Sequence, residues 1–431
     1  MSQNKISNLN QFYTNFSNFQ NNNNQNLNIY QNKFYQNQNN IKNYQYQNSN
    51  FKIQNQFFNQ KYSPEALKSE YFQLKNLEHD NPKLIKENIL QYENQIIIPI
   101  YQQINKSNIL KKNFYIELYN KYKNIIELIL KKNKLEVNLL QAYGSIMNNF
   151  LIDEGDIDIS IVPKNLSIEQ FSIYLDEIRN DILLKKLGQC DNLHISPRYS
   201  LLKVKDYQTQ INIDITVHTM LPIYNTKLIR IYSLLDQRFH IMGIFIKYWV
   251  KKNHINGAFE KYLSSYAILI LIIHFLQSEI EIKVLQILQK VDNKIINYEY
   301  SHSGKELITN IYFEEDIEKI NNYLKKINCD KENNDSVGEL ILKFFEFYSY
   351  KYEHDYLISI NHNEKKICKG EHFAFPMEDP FDIEHNPGKS MKLNTPQCDL
   401  FLNCMRKEIN SILNGELINK NIFSNHNHSN E

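Results

Sequence analysis

Three aspartates could carry out phosphoryl chemistry if the chain folds them onto one sheet. Asp156 and Asp158 are two residues apart in a segment where Ile157, Ile159 and Ile161 alternate with polar side chains. That alternation predicts a half-buried strand, which sends both carboxylates to one face. Asp214 stands on the polar side of a second alternating run, Ile211, Ile213, Ile215 and Val217. Three acids on adjacent strands can share a pair of divalent cations, which activate an attacking hydroxyl and stabilise a leaving pyrophosphate. Hard oxygen ligands favour Mg²⁺ or Mn²⁺ over zinc. An Asp-x-Asp pair alone fits a solvated strand face equally well. The residues ahead of it favour chemistry. Gly144-Ser145 closes a strand over 139–143 and offers backbone N–H groups and a hydroxyl that can hold a triphosphate.

The elements that must position these residues show in the hydrophobic period. Ser63-Pro64-Glu65 predicts a helix start, with Ser as N-cap and Pro in the first turn. Helices are expected near 64–77, 83–104 and 109–132. Strands follow over 139–143, 157–161 and 211–217, with a helix near 167–186 between them. From 226 onward the pattern reads as almost all helix. Ser336-Val337-Gly338-Glu339 is a capping box that opens a stripe of Val337, Leu340, Ile341, Phe344, Phe345 and Tyr348. A small mixed α/β unit is therefore set within a helical one.

Composition narrows the classes. The chain has 431 residues and a formal net charge of +1, which argues against holding nucleic acid by a large positive excess. More than half of the first sixty residues are Asn or Gln, so 1–62 reads as a low-complexity disordered tail, as does 417–431. Five scattered cysteines (Cys190, Cys329, Cys368, Cys398, Cys404) include no Cys-x-x-Cys pair and fit an intracellular, reducing setting. No apolar run reaches the ~20 residues of a membrane helix, so no membrane partner is expected.

Gly-Ser, then Asp-Ile-Asp on a strand, then a third strand aspartate resembles the signature of the polymerase-β-type nucleotidyltransferase superfamily. The stretches Tyr232-Ser-Leu-Leu-Asp-Gln-Arg, Ile246-Lys-Tyr-Trp-Val-Lys and Leu263-Ser-Ser-Tyr resemble the central domain of terminal uridylyltransferases and noncanonical poly(A) polymerases. Glu378-Asp-Pro-Phe-Asp-Ile-Glu-His-Asn-Pro-Gly is similar to that family's nucleotide-recognition motif. The resemblance covers about 139–391. It implies an α+β fold of two lobes with the active site in the cleft. The catalytic domain would span 106–219, and the helical central domain would combine 63–105 with 220–416.

The same resemblance implies roles. Asp156, Asp158 and Asp214 match the catalytic, metal-binding carboxylates, and Gly144 and Ser145 match the triphosphate turn. Lys247 and Lys251, four apart on one helical face, match the phosphate-binding lysines; alone they fit a solvated face, and the apolar stripe opposite points them away from the core. Ser265 would reach the phosphates, and Tyr266 would stack under the base. Asn225 and Thr226 fall where the family contacts the ribose, although His218-Thr219 stands where an Asn pair is usual. Asp379, Asp382 and His385 match base-reading positions; Asp382 replaces a frequent Glu, and a histidine at the position of His385 accompanies UTP. The expected activity is template-independent addition of UMP to RNA 3′ ends with Mg²⁺ or Mn²⁺. The alternatives are ATP-dependent poly(A) synthesis and an inactive scaffold in an RNA-processing complex. The lysines over 111–134 read first as a solvated face. The expected partners are a single-stranded RNA 3′ end, UTP and a protein that delivers the RNA, in the cytosol rather than the nucleus.

Overall fold

A computed structural model describes residues 63–152, 155–196, 199–218, 220–292, 294–302, 305–327, 332–368, 372–382 and 384–416. The two tails expected at 1–62 and 417–431 lie outside these residues. Helix α1 (Pro64–Asp80) starts as its sequence demands, with the Ser63 hydroxyl accepting the Ala66 N–H at 3.2 Å. Helix α2 (Pro82–Tyr92) leads through a π turn into α3 (Ile98–Lys132). The break expected at 105–108 does not occur. Those residues include no Gly or Pro, both halves of α3 bury an apolar face, and Asn108 donates to the Leu151 carbonyl at 2.7 Å. Tertiary packing thus carries the helix through weak formers.

The sheet follows. Its strands are β1 (Val137–Tyr143), β2 (Ile157–Pro163), β3 (Gly188–Cys190), β4 (His194–Ile195), β5 (Ser200–Asp206) and β6 (Asn212–Val217). The order is β1-β2-β6-β5-β3, with β4 on β5; β2 and β6 run parallel and the other pairs antiparallel. Helix α4 (Ile168–Leu184) crosses from β2 to β3, opened by a Ser167–Gln170 capping box. The expected strands are present, and β3, β4 and β5 are additions, of which β5 bears on the site. It sits between β6 and β3, so the site has one more wall than the sequence pattern predicts.

Helices α5 (Leu221–Leu235), α6 (Gln237–Lys252) and α7 (Ser265–His274) come next. The chain then departs from the all-helical expectation. Strands β7 (Asn297–His302) and β8 (Lys305–Asn310) form a hairpin, preceding α8 (Ile317–Ile327). Helix α9 (Val337–Glu346) has the expected capping box. Between its π turn and α10 (Pro396–Leu413) the chain is tied by single bridges, Tyr356↔Ile367, Ile358↔Met377 and Phe373↔Lys392. Alternating tyrosines favour the hairpin, and the Asp-, Pro- and Gly-containing run over 378–388 cannot continue a helix.

Two hydrophobic cores result. One joins the isoleucines of β2 and β6 to α4 and the second half of α3. The other gathers α2, α5, α6, α7, α9 and α10 around residues such as Trp249 and Phe345. Phe150 belongs to one core and its neighbour Leu151 to the other. Phe150 can enter because residue 243 is Gly; a Cβ there would collide with its ring. The connection between β1 and β2 is therefore anchored in both cores, and the cavity described next has walls from both.

Candidate active site

A cavity of about 860 Å³, within the roughly 300–1,000 Å³ of small-molecule sites, is lined by every candidate catalytic, metal-binding and nucleotide-binding residue named from the sequence. Across its floor, pairing register places Tyr143 opposite Asp158, Asp158 opposite Asp214, and Asp214 opposite Lys203. Residues in register share a face, so one row crosses four strands. Asp158 opens to the cavity but is screened from bulk water. Its carboxyl is pushed up to about 8 by burial and then by the charges of Asp214 and Asp156. Burial also raises Asp214, against the pull of Lys203 at 3.3 Å. The Asp214 Oδ1 atom is buried and has no hydrogen-bond partner among the described residues.

Asp156 is placed differently from expectation. It precedes β2 rather than lying on it, is exposed, and accepts from the Asn212 amide at 3.1 Å. Among the described residues no set of three His, Cys, Asp or Glu groups is already gathered at metal-ligand distance. The acids surround one space without closing a ligand shell.

Gly144 has φ 73°, a left-handed conformation, and a Cβ there would collide with the Asp158 carboxylate. No other residue type meets both demands. Its N–H donates to the Thr226 hydroxyl at 3.1 Å, which in turn donates to the Pro222 carbonyl at 2.9 Å. Thr226 thus holds the Gly-Ser turn from α5. Arg230, one helical turn on, holds the next segment through the Met147 carbonyl and Asn149 Oδ1, at 3.2 and 2.8 Å.

Lys247 corrects an expectation. It does not point away from the core but is buried and donates to the Phe150 carbonyl. Burial, followed by the neighbouring Lys251, pulls its ammonium down to about 8, while Asp158 opposes the shift. Lys251 lines the cavity from an exposed position. Of the α3 lysines, Lys123 and Lys132 agree with a solvated face, pairing with Glu127 and Glu177 at 3.6 and 2.5 Å, whereas Lys121 turns inward to pair with the buried Asp206.

At the other end Asp379 is the hub. It accepts from Asn225 Nδ2 at 3.1 Å, from the Tyr266 hydroxyl at 3.1 Å and from the backbone N–H groups of Phe381 and Asp382, both at 3.1 Å. His385 Nδ1 lies 3.0 Å away. Burial works to raise Asp379, but the His385 hydrogen bond and charge and the other donors hold it below the usual carboxylate range. A carboxylate only accepts, so Nδ1 carries a proton. Asn225, Tyr266 and His385 are therefore oriented by one buried side chain. Tyr300, which sequence reasoning missed, donates from β7 to Asp382 Oδ1 at 3.1 Å and also lines the cavity. Lys203 and Tyr199 on the β5 side were missed as well; the Leu202/Lys203/Val204/Lys205 alternation was the available signal.

A family model described as the central palm domain of mitochondrial-like poly(A) RNA polymerase matches residues 96–234. Human terminal uridylyltransferase 7 is 28% identical over 264 residues, 58% of this chain and 17% of that protein. These matches support the terminal uridylyltransferase and noncanonical poly(A) polymerase family. Another relative in the family, poly(A) RNA polymerase cid11 of Schizosaccharomyces pombe, is 23% identical over 328 residues, 73% of this chain and 61% of that protein. The chain thus spans less than two thirds of either relative's length. The family fold is shared with a solved structure of the RNA terminal uridylyl transferase Cid1. That match has 21% identity and a TM-score of 0.58 over 76% of this chain and 93% of the other.

Proposed function

We propose that this chain is a template-independent RNA 3′-terminal nucleotidyltransferase that adds UMP from UTP. One observation carries the reading: the Asp158–Asp214 pair and the Asp379–His385 pair line a single cavity. A reacting phosphate at one end and a recognised base at the other suit a nucleoside triphosphate. Relatives named as uridylyltransferases and poly(A) polymerases support the class, and Cid1 structures holding MgATP or the short product ApU support a metal, a nucleotide and RNA.

Mg²⁺ or Mn²⁺ is the proposed cofactor, with Asp156, Asp158 and Asp214 to hold it. The orphaned Asp214 Oδ1 and the mutual repulsion of Asp158 and Asp214 both fit a cation. Bound cations would supply hydroxyl activation and neutralise the leaving group. Gly144, Ser145 and Ser265 would grip the triphosphate, and Lys247 and Lys251 would offset its charge. Asp214 would draw the proton from the RNA 3′-hydroxyl. Tyr266 would stack on the base and Asn225 would meet the sugar. His385, whose Nδ1 proton goes to Asp379, leaves Nε2 to meet the base; when Nε2 carries no proton it accepts, and uracil presents an N–H donor on its pairing edge where adenine presents an acceptor. Relatives named poly(A) RNA polymerase keep ATP as the second reading.

This reading treats 106–219 as the catalytic domain and 63–105 with 220–416 as the helical one. Net charge +1 predicts modest RNA affinity, so a partner protein that delivers RNA and a cytosolic setting go with it. The test is extension of a labelled single-stranded RNA with Mg²⁺ and each nucleotide in turn, beside Asp156→Ala/Asp158→Ala. A UTP ladder lost in the variant is expected. An ATP ladder alone would promote the second reading, and silence with all four nucleotides would overturn the activity for the isolated chain.

A further inference from the structure

We propose that the paired rings of His194, on β4, and Tyr199, just before β5, are a stacking platform for single-stranded RNA just upstream of the reacting 3′ end. This inference rests on the function proposed above and adds the place where the polymer docks. β4 pairs with the start of β5 through His194↔Leu201 and Ile195↔Ser200. Tyr199 lines the same cavity as Asp214, and its ring lies 5.1 Å from that of His194 at an interplanar angle of 36°. Tyr199 is 36% exposed and Ile195 51% exposed, and neither they nor His194 belong to the neighbouring core. The aromatic pair thus spends its surface at the cavity rim rather than on packing. Ser196 fixes the backbone beneath it: its hydroxyl donates to the Tyr199 carbonyl at 2.7 Å, and its oxygen accepts the Tyr199 N–H at 3.2 Å.

From this platform β5 runs along the sheet with Lys203 and Lys205 exposed on one face. Lys203 faces Asp214, so an RNA phosphate arriving there would meet an ammonium beside the carboxylate that its 3′-hydroxyl must reach. Asp191 lies close enough to act on Asp214, which makes the field mixed rather than uniformly basic. Charge alone therefore does not hold a polyanion here. Exposed aromatic rings followed by spaced cations fit a chain with both bases and phosphates. It does not fit a duplex, whose internal bases have no free face.

The test compares initial rates of RNA extension by the full chain, with primer and UTP varied in turn while the other is held saturating. Tyr199→Ala is expected to raise KM for the RNA primer roughly five- to hundredfold, the effect of losing one base–aromatic stack. KM for UTP should not move with it, and Tyr199→Phe should restore the primer KM. A melting curve checks folding, and His194→Ala carries the same comparison if Tyr199→Ala does not fold. Wild-type extension with an unchanged primer KM in the Tyr199→Ala chain overturns the platform alone, and would leave the exposed rings to a protein partner. Equal rises in both KM values also overturn it. Failure of the wild type with all nucleotides overturns the underlying activity instead.

Discussion

Asp206 ends β5 and Asp214 lies on β6, the next strand of the sheet, yet their oxygens meet different surroundings. Asp206 Oδ1 accepts from the Gln208 and Thr209 N–H groups at 3.1 and 2.8 Å and from the Thr209 hydroxyl at 3.0 Å. Its Oδ2 accepts from the Tyr122 hydroxyl at 2.8 Å and from Lys121. Burial works to raise this carboxyl, but the Lys121 bond and the other donors hold it below its usual range. Asp214 keeps one orphaned oxygen, has one ion pair, and ends up raised. A carboxylate saturated by its own fold closes a turn. One that is buried, crowded by like charge and left partly unsatisfied is prepared for a charge from outside the chain.

The largest effect should come from neutralising the unsatisfied side. Asp214→Asn or Asp158→Asn should cut single-turnover extension by on the order of a thousandfold, comparable to losing a principal electrostatic group. The same change removes repulsion, so the melting temperature should hold or rise. A lower melting temperature together with retained activity would break the comparison. Asp206→Asn should do the reverse. It strands Lys121, whose side chain is 28% exposed, so the cost should be about 2–3 kcal/mol, below the ~3–5 for a fully buried pair. Urea unfolding would measure it, and the folded fraction should extend RNA at the wild-type rate.

The contrast was only half visible in the sequence. β2 and β6 were legible because isoleucine alternates with polar residues, and Asp158 and Asp214 followed from that period. β5 alternates too, but its lysines and Asp206 diluted the apolar signal over Ser200–Asp206. The burial of Lys247 was illegible, because the carbonyl it meets lies 97 residues away. The Asp379 hub joins Asn225 and Tyr266 across 154 and 113 residues, so motif matching could name its members without showing that one carboxylate orients them. The hairpin that brings Tyr300 to Asp382 lay in a stretch read as helical.

A smaller effect is expected at that hub. His385→Asn should keep extension active but shift the UTP-to-ATP ratio of kcat/KM by roughly ten- to hundredfold toward ATP, the scale on which one pocket contact discriminates substrates. Parallel assays with each nucleotide would read it. An unchanged ratio would remove His385 from base selection and leave it as a partner of Asp379 alone.

The smallest effect sharpens the comparison with a group that is hydrogen-bonded yet still strained by burial. His274 Nδ1 lies 2.9 Å from the Tyr348 hydroxyl, and Nε2 lies 3.5 Å from Glu279. Burial, with Lys365 and His362 adding positive charge, pulls the ring down to about 4. Its folded pKa is thus below the unfolded value of about 6.5. Above that value the ring is neutral in both states and contributes no slope. Between about 6.5 and about 4 only the unfolded chain takes the proton, so stability should fall with pH by about 1.4 kcal/mol per unit at most. Glu279, itself raised by burial, opposes the trend as it protonates. Carboxylates elsewhere titrate in the same window, so the measurement is the difference in urea midpoint between wild type and His274→Gln at pH 7.5 and pH 5. The glutamine chain should start less stable and lose less. Equal losses in the two chains would mean that His274 takes its proton without unfolding, and that Glu279 already compensates for the charge.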